Sequence, residues 1–145
     1  FGITRGTRVA MVGFFPPVAH ALRGLGAELD VVDEGKGIGE QVAFGERLDG
    51  WAEVLVMTST ALLGGTADAL LAAAGPTTRV ALLGPSTPLT PEVFEGTRVE
   101  VLGGMVPREV DDVLRTVRHG GGTRTFSRFC RKVYCVRARA ADGSP

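Results

Sequence analysis

The sequence predicts an α/β fold: a Rossmann-like three-layer sandwich built on a mainly parallel sheet of five or six strands. Three observations carry this expectation. Short, near-continuous apolar runs, such as Val9-Ala-Met-Val12, Val54-Leu-Val-Met57 and Val80-Ala-Leu-Leu83, read as strands buried on both faces. Helix-forming segments alternate with those runs, which argues for a parallel sheet with right-handed crossovers. The 21 glycines and eight prolines are spread between the runs as punctuation and form no low-complexity block.

The first strand covers Arg8 to Phe14, and Pro16-Pro17 suits a turn and the opening of a helix over Val18 to Leu25, ended by Gly26. Ala27 to Val32 is a second strand that stops at Asp33-Glu34. After the loop Gly35-Lys-Gly-Ile-Gly39, Glu40 to Leu48 is a short helix. Glu53 to Met57 is the third strand. Thr60 or Thr66 starts the helix that carries the Ala/Leu-rich Ala67 to Ala74, where high helix propensity is stopped by Gly75-Pro76. Arg79 to Leu83 is the fourth strand, followed by a short helix from Pro91-Glu92 to Gly96. Arg98 to Leu102 is the fifth strand. Val106 to Arg118 is an amphipathic helix with Val110, Val113, Leu114 and Val117 at helical spacing. Beyond the Gly120-Gly-Gly122 hinge, Phe129 to Val136 reads as a final strand. Residues 1–139 form one domain, and 140–145 read as a disordered tail.

Sixteen basic and sixteen acidic residues balance, so no net field draws the chain to nucleic acid or an anionic membrane. No apolar run approaches the roughly 20 residues of a membrane span. No signal peptide is recognisable. The chain opens at Phe1 and not at Met, which reads as a processed or excised piece, and cytoplasm is the expected setting. From Arg124 to Arg139 there are six basic residues and no acidic one, so this segment is a candidate for docking an acidic partner or a second copy.

In an open α/β sheet, ligands bind beyond the carboxyl ends of the strands. Gly13-Phe-Phe-Pro-Pro17 follows the first strand, but it lacks the further glycines that let a backbone approach a pyrophosphate, which disfavours an ordinary NAD or FAD site. Phe14 or Phe15 either faces a ligand or packs under the sheet edge. Of the Asp33-Glu34 pair, Glu34 beside flexible Gly35 is the better candidate for a base or metal ligand, against a plain solvated loop. Thr58-Ser59-Thr60 and Ser86-Thr87 place hydroxyls on two strand ends, suited to a carboxylate, a phosphate or a metal-held ligand, or to helix capping alone. No Gly-rich loop ending in Lys-Ser/Thr and no nucleophile elbow is present, so nucleotide triphosphate hydrolysis and serine hydrolysis are disfavoured. His20 and His119 are isolated. Cys130 and Cys135 stand five apart, facing opposite sides of a strand; they read as buried thiols or as soft-metal ligands shared with a second chain.

The order Val-Gly-Phe-Phe-Pro, an acid after strand two, Met-Thr-Ser-Thr-Ala-Leu-Leu-Gly-Gly-Thr, then Leu-Leu-Gly-Pro-Ser-Thr-Pro-Leu resembles the DUF364 family, described by heavy-metal chelation. The resemblance covers about Arg8 to Gly122, and Gly84-Pro85-Ser86-Thr87-Pro88 is its most specific motif. It implies a Rossmann-like domain, usually preceded by a smaller domain like the enolase N-terminal fold, with the site between the two. The implied site residues are Gly13, Phe14, Pro16, Glu34, Thr58, Ser59, Thr60, Gly84, Ser86 and Thr87, with Gly103-Gly104 ending strand five and closing the pocket floor. Without the upstream domain, half of the pocket comes from a partner or a second copy, or the site is open. The expected function is binding of a small anionic metabolite or metal chelate by backbone N–H groups and hydroxyls, any metal arriving with its chelator. The alternatives are an enzyme using Glu34 as general acid or base, and an assembly module.

Overall fold

A computed structural model describes residues 1–137; the predicted domain end at 139 and the tail at 140–145 lie outside the described residues. The element order is β1 (Arg8–Val12), α1 (Pro16–Gly24), β2 (Glu28–Val32), α2 (Gln41–Trp51), β3 (Val54–Thr58), α3 (Thr60–Leu63), α4 (Ala67–Ala73), β4 (Arg79–Leu83), β5 (Val99–Pro107), α5 (Val110–Arg118), α6 (Thr123–Phe126) and β6 (Cys130–Val136). Single 3-10 turns lie at Glu34–Lys36, Pro91–Phe94 and Ser127–Phe129. The six strands form one sheet in the order β2-β1-β3-β4-β5-β6; all neighbours are parallel except β5 and β6. The α/β class, with a mainly parallel sheet, is therefore as the sequence predicts.

Alternation along the apolar strands divides the core between two faces. Ala10, Val12, Leu55, Met57, Val80 and Leu82 meet Phe44 and Leu48 of α2 and Leu70 of α4 on one face. Val9, Met11, Val54 and Val56 meet Ala19 and Leu22 of α1 on the other. Thr78, buried just before β4, donates its hydroxyl to the Ala52 carbonyl at 2.7 Å, so that buried polar group is satisfied.

Boundaries shift where local rules meet tertiary pairing. Pro16 and Pro17 occupy the first turn of α1, where their missing N–H groups cost nothing, so the helix begins two residues before the predicted start. Helical geometry in α2 ends at Leu48, because Asp49 is extended and Gly50 takes φ +73°. The predicted helix before Ala74 is two short ones, α3 and α4, broken at Gly64-Gly65.

The largest departure is in β5. It does not end at Leu102 but continues to Pro107, because β6 folds back beside it from Val101↔Val136 to Pro107↔Cys130. β4 stops opposite Gly103, so the last four residues of β5 pair with β6 alone. This hairpin stands about 13 Å beyond the sheet edge at ~3.3 Å per residue, and α5 and α6 sit at its tip. The basic segment thus supplies an integral sheet strand, which fixes β5. Cys135 packs toward the core and Cys130 opens the strand; both are free thiols.

Candidate functional site

At the carboxyl edge the ladder runs one residue past each strand. The amides of Gly13, Ser59 and Gly84 donate to the carbonyls of Val32, Leu83 and Gly103 at 2.8, 2.8 and 2.9 Å. The Phe14 amide donates to the Asp33 carboxylate at 2.8 Å. These four turn amides are therefore already engaged, and the hydroxyls and carboxylates nearby become the available polar groups.

Among the described residues two clefts, not one, open along this edge. The first, about 230 Å³, lies over the ends of β1, β2 and β3 and is lined by Gly13, Asp33, Glu34, Thr58, Thr60 and Thr66 above Val12, Val32 and Ala61. Gly13 is required there twice over. Its φ is +81°, and a Cβ would stand 2.9 Å from the Thr58 side chain. That close approach fixes Thr58, whose hydroxyl hydrogen-bonds to that of Thr60 at 3.0 Å.

Asp33 is the anchor of this cleft. Besides the Phe14 amide, its carboxylate accepts a hydrogen bond from Lys36 Nζ in an ion pair. Burial alone would raise its pKa; the Lys36 hydrogen bond, the Phe14 amide and the Lys36 charge outweigh that and hold the carboxyl below its ordinary value of 3.8. Asp33 therefore carries its charge at neutral pH. Glu34, the acid favoured from the sequence, also lines the cleft but is exposed. Asp33 was legible as the strand-end member of the acidic pair, and Thr66 only as a helix start.

The second cleft, about 270 Å³, lies across the ends of β4, β5 and β6 and takes in Phe15, Pro17, Leu83, Gly84, Gly103, Gly104, Met105 and Lys132. Gly103 and Gly104 thus do not close the floor of the hydroxyl-lined pocket. They sit inside β5, paired with Tyr134 and Val133, because β6 prolongs the strand past them.

Ser59 follows Thr58 at the end of β3 and lines neither cleft. It is 1% exposed, and its hydroxyl pairs with Ser86 at 3.2 Å. Gly84, at φ +144°, packs so tightly that a Cβ would lie 2.3 Å from Ser59 Oγ. Thr87 is buried as well, its hydroxyl without a partner among the described residues. Ser59, Ser86, Thr87, Phe14 and Pro16 line neither cleft: the Phe14 ring packs into the core under α1, and Pro16 is an exposed helix start. Among the described residues no three His, Cys, Asp or Glu side chains gather as a metal site. Cys130 and Cys135 lie away from both clefts.

An open, mainly parallel sheet with clefts beyond its strand ends defines a Rossmann-like α/β domain. The chain belongs to the DUF364 family, described as "Putative heavy-metal chelation", which matches residues 1–136. Two solved structures share the fold. A DUF364 protein of unknown function from Pyrococcus horikoshii is 21% identical with a TM-score of 0.79, over 90% of this chain and 54% of that one. A second, from Desulfitobacterium hafniense DCB-2, is 23% identical with a TM-score of 0.77, over 92% of this chain and 54% of that one. The chain thus spans about half the length of these relatives. No curated protein matches it.

Proposed function

We propose that the first cleft binds a metal ion already held by a small chelator, with the chelate as cargo. One observation carries this reading. The carboxylates of Asp33 and Glu34 share the cleft with the hydroxyls of Thr58, Thr60 and Thr66, while no third acid, His or Cys completes a coordination sphere among the described residues. A bare transition-metal ion prefers imidazole or thiolate, and this oxygen set does not match it. A bare anion meets the Glu34 carboxylate, the Asp33 carboxylate already paired with Lys36, and no unengaged turn amide at Gly13, Phe14 or Ser59. A chelate answers both difficulties, because the chelator supplies most donors and its metal offsets the carboxylates.

In this reading Asp33 holds the β1–α1 turn through the Phe14 amide, and Glu34 reaches the metal or a water on it. The Thr58–Thr60 pair accepts and donates to the chelator's oxygens. Glu34 and Thr60 are exposed, so a further domain or a second copy provides the outer wall. The partner is then a small-molecule chelate in a cytoplasmic setting. No described helix is long and apolar enough to cross a membrane.

Calorimetric titration with nickel citrate, nickel alone and citrate alone tests this. The complex is expected to bind at least about tenfold more tightly than either component, and Glu34→Gln to lower its affinity about tenfold, or 1.4 kcal/mol. Equal binding of free nickel, or an unchanged Glu34→Gln affinity, overturns the reading. If an added metabolite were turned over and Glu34→Gln abolished that turnover, the acid–base role would replace it.

A further inference from the structure

The second cleft differs in chemistry from the first and faces the opposite side of the sheet. Its walls are Phe15, Pro17, Val18, Leu83, Met105 and Val133, and where Gly84, Gly103 and Gly104 lie it has only backbone. A Cβ on Gly103 would come within 2.7 Å of Leu83 Cδ2, so that glycine lets Leu83 lie back against β5 and keeps the space open. Thr123 and Lys132 are the polar residues at its rim. Lys132 stands opposite Met105 in the β5–β6 hairpin and has no ion-pair partner among the described residues. It also lies, in the sequence, in the stretch from Arg124 to Arg139 that holds six bases and no acid.

We propose that this cleft is a separate binding site for a small aromatic carboxylate, its ring on the apolar walls and its acid group on Lys132. Size, surface and charge select that class together. An apolar cavity of about 150 Å³ holds a benzene ring, so about 270 Å³ takes one ring with a short acidic arm. Peptide planes bared by glycines, facing Phe15 and Pro17, suit a flat ring better than a branched aliphatic chain. A single unpaired ammonium at the rim of an apolar cleft orients one carboxylate, whereas a polyanion would leave most of its charge facing hydrocarbon.

The site does not rest on the chelate reading, since none of its lining residues is shared with the first cleft. The two clefts do meet in the β1–α1 turn. Phe14 is tied to Asp33 of the first, and the next residue, Phe15, lines the second.

The test is a chemical-shift titration of the whole chain with benzoate, benzamide and cyclohexanecarboxylate. Benzoate is expected to shift amides of Phe15, Gly103, Met105 and Lys132, and to bind at least about tenfold more tightly than the other two. Lys132→Met is expected to weaken benzoate about tenfold and leave benzamide unchanged, while Lys132→Arg retains most of the benzoate affinity. Gly103→Ala, which pushes Leu83 into the cleft, weakens both. Lys132 is exposed, so its variants keep the fold. Shifts confined to Gly13, Glu34 and Thr58, equal affinity for benzoate and benzamide, or indifference to Lys132→Met each overturn the proposal.

Discussion

The two halves of the sheet obey the same alternation of strand residues but are covered differently. β2, β1 and β3 carry α1 on one face and α2 on the other, with Phe44 and Leu48 buried on the α2 side. β4 is buried on both faces, Ala81 toward α1 and Val80 and Leu82 toward α4, but β6 is an open edge strand, and past the end of β4 the strands β5 and β6 pair only with each other. Val136 and Tyr134 of the edge strand are 64% and 76% exposed, and Val110, Leu114 and Val117 of α5 are exposed too. The comparison teaches where stability and adaptability reside. The half closed by α1 and α2 anchors a polar cleft with fixed charges; the half that ends in an open edge strand carries an apolar cleft on an extended hairpin.

If that contrast holds, substitutions in the first half cost most. Phe44→Ala opens a cavity under β1 and β3 and is expected to lower stability by about 3–5 kcal/mol in denaturant unfolding; a loss below about 1 kcal/mol would break the contrast. Next comes Asp33→Asn, which removes a charged acceptor from the Phe14 amide and Lys36 and costs about 1.5–3 kcal/mol at neutral pH. Because the folded Asp33 carboxyl titrates below its ordinary 3.8, its contribution is complete above the ordinary carboxylate range and is lost as pH falls through that range and below it. The gap between wild type and Asp33→Asn should therefore narrow on acidification between about pH 5 and pH 2, read from urea midpoints across that range.

Gly84→Ala is expected to cost about 1–3 kcal/mol, through its φ of +144° and the approach to Ser59. Its companion Ser59→Ala should lessen the penalty, since the clashing Oγ is gone. Smallest is Tyr134→Ser on the open face of the edge strand, expected within about 0.5 kcal/mol of wild type. A large destabilisation there would mean that the second half is covered in solution, and sedimentation of the wild-type chain would show whether by a second copy.

Much of the fold was legible because apolar runs of strand length and glycine-proline punctuation are local signals. β4 was predicted over the same residues it occupies, Arg79–Leu83. The extension of β5 was not legible, since Gly103-Gly104 reads locally as a strand end and only the ladder with β6 overrides that propensity. The candidate site was legible in part for a similar reason. Gly13, Glu34, Thr58 and Thr60 fall in one cleft, and Gly84, Gly103 and Gly104 in another. Composition gave no hint that the strand ends would divide between two clefts.

By itself, the sequence determined which segments are strands and which are helices, and that their polar carboxyl ends share one edge, because periodicity and turn chemistry act over a few residues. Only the tertiary structure decided which amides the sheet consumes, which acid is anchored, and where one cleft ends and the next begins. Those depend on register and on ångström-scale approaches between residues far apart in the chain, such as Phe14 to Asp33 and Gly84 to Ser59.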